Sequence, residues 1–202
     1  MSGIVSQNTG RSSGIPKAVE AGGGAWTLIQ TITSDGSDAT ISFTSGIDST
    51  YDAYCFQFVN IHAETDDATF KFNASDDASS HSYDIAKVTN FWDAYHNEGA
   101  SAQAFGYRVA EDLVGTGVAT VMRNFGNDAD AASSGNFYLF NPSDTTFIKH
   151  FISTGAVTSS GTYQLQTHMG GYFNTTAAIT AMQFSMSSDE IQGGTISLYG
   201  IG

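Results

Sequence analysis

The closing stretch of the chain, "GGTISLYGIG" at residues 193–202, carries the pattern that decides the fold. From Thr195 to Tyr199, hydroxyl-bearing positions alternate with isoleucine and leucine, which is the period of a β-strand with two different faces. The glycine pair before it is typical of a turn. A chain terminus frays unless neighbouring strands hold it. We therefore expect this segment to be the closing strand of a sheet, inserted between or beside earlier strands.

The same alternation recurs in most segments after Trp26. In "AMQFSMS" (181–187) Met182, Phe184 and Met186 share one face, and in "ATFKFN" (68–73) two phenylalanines lie opposite a lysine. Turn-forming stretches rich in Asp, Ser and Gly separate these segments. The pattern predicts ten to twelve strands in an all-β fold, specifically an antiparallel, jelly-roll-like β-sandwich spanning residues 25–202.

Two further segments complete this reading. "HSYDIAKV" (81–88) reads as another strand, whereas "TNFWDAYHNEGASAQ" (89–103) is the least regular part of the chain. We expect the latter to form a long loop or one short helix. Pro16 and Pro142 lie outside all the predicted strand interiors, as proline must.

Composition excludes several classes of protein. Charged residues make up 13% of the 202 residues, and 20 acidic side chains against 7 basic ones give a net charge of -13. Nucleic-acid binding needs clustered Lys and Arg, so nucleic acid is not an expected partner. No stretch approaches the apolar length of a membrane span, and the polar start does not resemble a signal peptide, so we expect synthesis in a cytoplasm and no membrane insertion. The single cysteine, Cys55, lies among apolar neighbours and is expected to be buried and unpaired.

Residues 1–24 differ from the rest. They lack a sustained apolar period and hold Gly, Ser and Asn, as extended arms and linkers do. Arg11 and Lys17 against Glu20 give this segment a net charge of +1, which leaves -14 on residues 25–202. We expect an extended N-terminal arm that finds its partners in another subunit, the alternative being a leader without partners.

No pattern of catalysis stands out. The histidines His62, His81, His96, His150 and His168 are scattered singly, and no phosphate loop, nucleophile elbow or metalloprotease motif occurs. The acidic stretches "SDGSD" (34–38), "TDD" (65–67), "SDD" (75–77) and "NDAD" (127–130) fit turns, although a structural Ca²⁺ ion is an open alternative. We expect a protein that is not an enzyme and that has no cofactor.

Two stretches resemble a known group of proteins. "ISFTSGIDSTYDAYCFQFVNI" (41–61) and "GGYFNTTAAITAMQFSMSSDEIQGGTISLYGIG" (170–202) are similar to segments of small structural proteins from tailed phages, especially marine and cyanobacterial phages. The resemblance implies a virion component with a β-sandwich fold, made in the host cytoplasm, and no catalytic residues.

Within that class, the first expectation is a capsid decoration or cement protein. Its arm would bind other virion proteins, above all the major capsid protein, and the body would form a homo-oligomer. The arm residues expected to make these contacts are Ile4, Val5, Arg11, Ile15, Lys17 and Val19.

The alternative expectation is a tail or fibre component that binds a glycan of the host surface. Trp92, Tyr95 and His96 would then form the contact patch, with aromatic rings against sugar faces. For Trp92 the competing interpretation is packing in the core. A small hydrolase of the host envelope is a third reading, which no motif supports.

Overall fold

A computed structural model describes residues 25–202 as an all-β fold of two sheets. The strands are β1 (Trp26–Thr33), β2 (Thr40–Phe43), β3 (Ala53–Ala63), β4 (Ala68–Ser75), β5 (Lys87–Asn97), β6 (Gln103–Tyr107), β7 (Val114–Gly115), β8 (Ala119–Phe125), β9 (Ser133–Phe140), β10 (Lys149–Thr158), β11 (Tyr163–Phe173), β12 (Ala181–Met186) and β13 (Ile191–Ile201). The helical content of this part of the chain is one 3-10 turn at Val109–Glu111. No helix in residues 25–202 is long and apolar enough to cross a membrane.

The strand order is that of a jelly roll with a widened sheet. The large sheet runs β1-β13-β3-β9-β10-β11-β5-β6, with β7 beside β5, and the small sheet runs β2-β12-β4-β8. All pairings are antiparallel. The quartets β1-β13-β3-β9 and β2-β12-β4-β8 reproduce the two four-stranded sheets of a double Greek key. The remaining strands, β5–β7 and β10–β11, extend the large sheet on one side. The predicted antiparallel, jelly-roll-like sandwich is confirmed.

The closing strand lies inside the large sheet. β13 pairs with β1 on one side and with β3 on the other. Ile196 and Leu198 are fully buried between the sheets, whereas the side chain of Ser197 points to the other face and hydrogen-bonds to Thr31 Oγ1 at 2.9 Å. Two neighbouring strands therefore fix the C-terminal segment, as the sequence predicted.

Phenylalanine rings fill the space between the sheets. Phe184, on the central strand β12 of the small sheet, is fully buried. Its ring centroid lies 5.2–6.4 Å from those of Phe43, Phe56, Phe58, Phe70 and Phe137. Edge-to-face and stacked pairs at these separations add to the free energy of burial. Met182 and Met186 point the same way, so the predicted inward face of β12 is confirmed.

Two local predictions are wrong. Residues 89–103 form neither a loop nor a helix, because β5 continues to Asn97 and a tight turn leads into β6. The sequence of β5 does not show the usual alternation of apolar and polar residues, because its inward face carries the charged Asp93 and its outward face carries Trp92. Residues 81–86, predicted as strand, have no regular secondary structure, and β5 begins at Lys87.

The acidic stretches form turns. The carboxylates of Asp35, Asp77 and Asp144 accept hydrogen bonds from backbone N–H groups two or three residues further on, at 2.8–3.0 Å. The Ser37 hydroxyl, which donates to Asp35 at 2.7 Å, and then the Ser37 N–H hold the pKa of Asp35 below the ordinary value, and the backbone bonds alone do so for Asp144 in a further turn. Within residues 25–202 no group of three or more His, Cys, Asp or Glu side chains is placed to hold a metal ion.

Candidate binding face

The outward face of the large sheet is free of charged side chains. Its nine strands contain three charged residues, Lys87, Asp93 and Lys149, whose exposures are 1%, 0% and 1%. All three side chains point inward, towards the small sheet. Every other acidic residue of the described chain lies in a loop, a turn or the 3-10 turn. A body with a net charge of -14 therefore presents one broad neutral face, surrounded by acidic loops.

Two of the three inward charges, Asp93 and Lys87, have close polar partners. Asp93 accepts hydrogen bonds from Arg108 Nε at 2.8 Å and from Arg123 Nε at 2.6 Å, and Arg108 Nη2 lies 2.7 Å from the same carboxylate. Lys87 Nζ donates to the carbonyl oxygens of Ile85 and Gly117, at 3.0 and 2.7 Å. These pairings explain how the sheet keeps charge in its interior, since buried charges need compensating partners.

One half of this face carries an apolar cluster, which we call the β1-side patch: Trp26, Leu28, Tyr138, Phe140 and Tyr199. The Trp26 centroid lies 6.2 Å from that of Tyr138 and 5.5 Å from that of Tyr199. Trp26, Leu28 and Phe140 are 44%, 56% and 38% exposed, respectively. Exposed apolar side chains that are contiguous are typical of a contact surface.

Cys55 lies under this patch, between Tyr138 and Tyr199 in the strand register. It is a free thiol with an exposure of 0%, and burial raises its pKa to about 12. The prediction of a buried, unpaired cysteine is confirmed. A thiol in this environment is an inert part of the packing.

The other half of the face contains a depression, which we call the Gly170 hollow. His168, Gly170 and Tyr172 occupy successive outward positions of β11, so the middle position has no side chain. His150 lies beside Tyr172 at one end, with ring centroids 6.1 Å apart. The hollow measures about 360 Å³, and its outward-facing lining is Val88, Asn90, His150, Ile152, Gly170 and Tyr172. Beyond the opposite end, outside this lining, Trp92 stacks on His168 with ring centroids 3.9 Å apart and planes within 9°.

The floor of the hollow offers both polar and apolar groups. Asn90 on β5 and Ile152 on β10 flank Gly170 in the strand register. Asn90 is exposed, and Ile152 is 50% exposed. Burial lowers the pKa of His168 below its ordinary value and so favours the neutral imidazole, which can donate and accept one hydrogen bond each.

The adjacent glycines Gly170 and Gly171 have different structural roles. A Cβ atom on Gly171 would clash with the carbonyl oxygen of Val88 and would lie 2.8 Å from the ring of Phe151, so packing requires glycine there. A Cβ on Gly170 would meet only Asn90 Oδ1, at 3.4 Å, and the carbonyl oxygen of Phe151, at 4.0 Å. The fold therefore tolerates a side chain at residue 170, and its absence leaves the hollow open.

The structure separates the residues of the expected glycan patch. Trp92 and His96 lie on the outward face of β5, which shows that Trp92 is not part of the core. Tyr95 points to the opposite face, where its ring centroid lies 5.4 Å from that of Tyr163. Including Tyr95 in the patch is therefore wrong, because neighbouring positions of a strand face opposite sides.

The arm residues Ile4, Val5, Arg11, Ile15, Lys17 and Val19 lie outside the described residues, and their contacts stay a prediction. Sequence reasoning also missed three residues of the hollow, His150, Gly170 and Tyr172. The alternation of β11 already places His168, Gly170 and Tyr172 on one face. Their proximity to Trp92 depends on the pairing of β11 with β5, which no local pattern shows.

In comparisons with family models, curated proteins and solved structures, nothing matches this chain. The geometry of residues 25–202 defines an all-β jelly-roll sandwich whose large sheet has an outward face free of charged side chains. The resemblance to phage structural proteins stays a prediction.

Proposed function

We propose that this chain is a non-enzymatic structural protein of a phage particle, namely a capsid decoration protein. The observation that carries the proposal is the β1-side patch. An exposed aromatic and aliphatic cluster on a charge-free face suits contact with another protein, since desolvating neutral side chains costs far less than desolvating charges.

The position of the patch supports the anchoring role of residues 1–24. Trp26 and Leu28 belong to β1, the edge strand of the large sheet, and Trp26 follows the arm almost directly. In this proposal the arm and the patch act as one contact region: the arm binds between subunits of the major capsid protein, and the patch rests on the shell.

Binding to undecorated particles tests the proposal. Deletion of residues 2–20 is expected to abolish co-sedimentation with the particles, and Trp26→Ala is expected to weaken it about tenfold, as truncation of a central interface aromatic does. Trp92→Ala, an aromatic truncation on the same face outside the patch, is the matched control and keeps full binding. Unchanged binding after the deletion would refute anchoring.

A tail or fibre component that binds a host glycan is the second candidate, favoured by the Gly170 hollow. This role predicts few copies at the tail, whereas decoration predicts many copies on the shell. Copy number per particle, from quantitative mass spectrometry of purified virions, separates the two.

A further inference from the structure

We infer that the Gly170 hollow is a binding site for a neutral oligosaccharide. This inference develops the glycan-binding candidate but does not depend on where the protein sits in a particle. The contact residues are Tyr172 and His150 at one end and Asn90 and Ile152 beside the floor, and the stacked pair of Trp92 and His168 lies next to the other end.

The walls of the hollow fit the two kinds of surface that a pyranose presents. The Tyr172 ring and Ile152 offer apolar area to the C–H groups of a sugar ring. The Asn90 amide and the His150 imidazole offer hydrogen-bonding groups to its hydroxyl groups. Ligand sites of proteins combine an apolar lining with a few polar groups in this way.

The dimensions fit a chain of sugars better than a single ring. His168 and Tyr172 are four residues apart on one strand, so their positions are about 13 Å apart. The hollow is open along the sheet, and its floor is the backbone of Gly170.

The charge distribution determines which glycans fit. No Lys or Arg side chain points outward from the large sheet, so nothing there pairs with a carboxylate, sulfate or phosphate group. The acidic loops around the face also repel anions at long range. A neutral glycan needs no cationic partner and is not repelled by the acidic loops.

A peptide ligand fits this site poorly. Peptides commonly bind sheets by adding a strand at an edge, where backbone groups are unpaired. The hollow is centred on β11, and β10 and β5 pair with it on both sides. A ligand of this hollow must therefore be recognised by side chains rather than by unpaired backbone groups. A sugar chain can be bound in this way.

Binding of the full chain to defined hexasaccharides tests the inference. The probes are maltohexaose, cellohexaose, mannohexaose and xylohexaose, with hexagalacturonate as the acidic counterpart, measured by glycan array and titration calorimetry. We expect at least one neutral probe to bind with a Kd of about 1 mM or tighter, and the acidic probe not to bind. Absence of binding by all four neutral probes, or preference for the acidic one, would overturn the inference.

Two variants locate the site, and a third is the matched control. Tyr172→Ala removes the aromatic ring that lines one end, and Gly170→Val fills the hollow without disturbing the core, so each is expected to weaken binding at least about tenfold. Trp26→Ala removes an aromatic residue from the same face, five strand spacings or about 24 Å from Gly170 across the sheet, and is expected to change binding less than about twofold. Binding that survives Gly170→Val contradicts the site. The particle assay depends on residues 2–20 and Trp26, whereas the sugar titration depends on Tyr172 and Gly170, so failure of the glycan site leaves the decoration role testable on its own.

Discussion

The ion cluster around Asp93 gives the sharpest prediction about stability. Asp93→Asn keeps the size of the side chain and removes its charge, which leaves the guanidinium groups of Arg108 and Arg123 without their carboxylate. Arg108 and Arg123 have side-chain exposures of 30% and 18%, whereas the carboxylate is fully buried. Removing one partner of a buried ion pair costs about 3–5 kcal/mol. Arg123 belongs to β8 of the small sheet, so the variant also loosens the contact between the two sheets.

That loss is a large share of the ~5–15 kcal/mol that stabilises a folded domain. For a body of ~180 residues it corresponds to a fall in Tm of about 8–13 °C. Urea denaturation followed by circular dichroism measures the change in free energy, and calorimetry measures Tm. Asp130→Asn, at an exposed turn, is the control and should change the free energy of unfolding by less than about 0.5 kcal/mol. A loss below about 1 kcal/mol for Asp93→Asn would show that the cluster does not stabilise the fold as argued.

Four further predictions follow from the packing and the buried groups. Phe184→Ala removes the central ring of the core and should cost about 3–5 kcal/mol in urea denaturation. Gly171→Ala should cost about 1–3 kcal/mol through overpacking, whereas Gly170→Ala should be close to neutral. Burial lowers the pKa of Lys87 to about 8 in the folded protein, so between about pH 8 and 10.5 the unfolded chain binds more protons than the folded one. The free energy of unfolding should therefore rise with pH over this range in the wild type but not in Lys87→Met. The Cys55 thiol, with a pKa of about 12, should react with thiol reagents at pH 8 only after unfolding.

Each of these has a contrary result. Equal stability of the two glycine variants would contradict the different surroundings of residues 170 and 171. A rise of stability with pH that persists in Lys87→Met would assign the effect to another group. Fast labelling of Cys55 in the native protein would contradict its burial, and a Phe184→Ala variant as stable as wild type would contradict the packing of the core.

Alternation was sufficient to predict the fold class from sequence. The strands β12 and β13 have apolar residues at every second position and polar residues between, so their inward faces were read correctly. β5 was not predicted as a strand, because the charged Asp93 occupies an inward position of β5. Two arginines, Arg108 and Arg123, stabilise it there. The sequence around a buried charge does not reveal its burial when its partners are distant in the sequence.

The binding face was predictable only in part. The low charge content of the strands is visible in the sequence, but the presence of one neutral face depends on the inward direction of Lys87, Asp93 and Lys149. Trp92 was recognised as a candidate, and its partner His168 was not. The two residues are 76 positions apart and meet only because β5 and β11 are paired in the large sheet.

The proposed decoration role is tested most directly by cryo-electron microscopy of intact phage particles that contain this chain. The account predicts many copies on the capsid shell, with residues 1–24 and the β1-side patch in contact with capsid subunits and the Gly170 hollow facing solvent. Copies confined to the tail would contradict the decoration role.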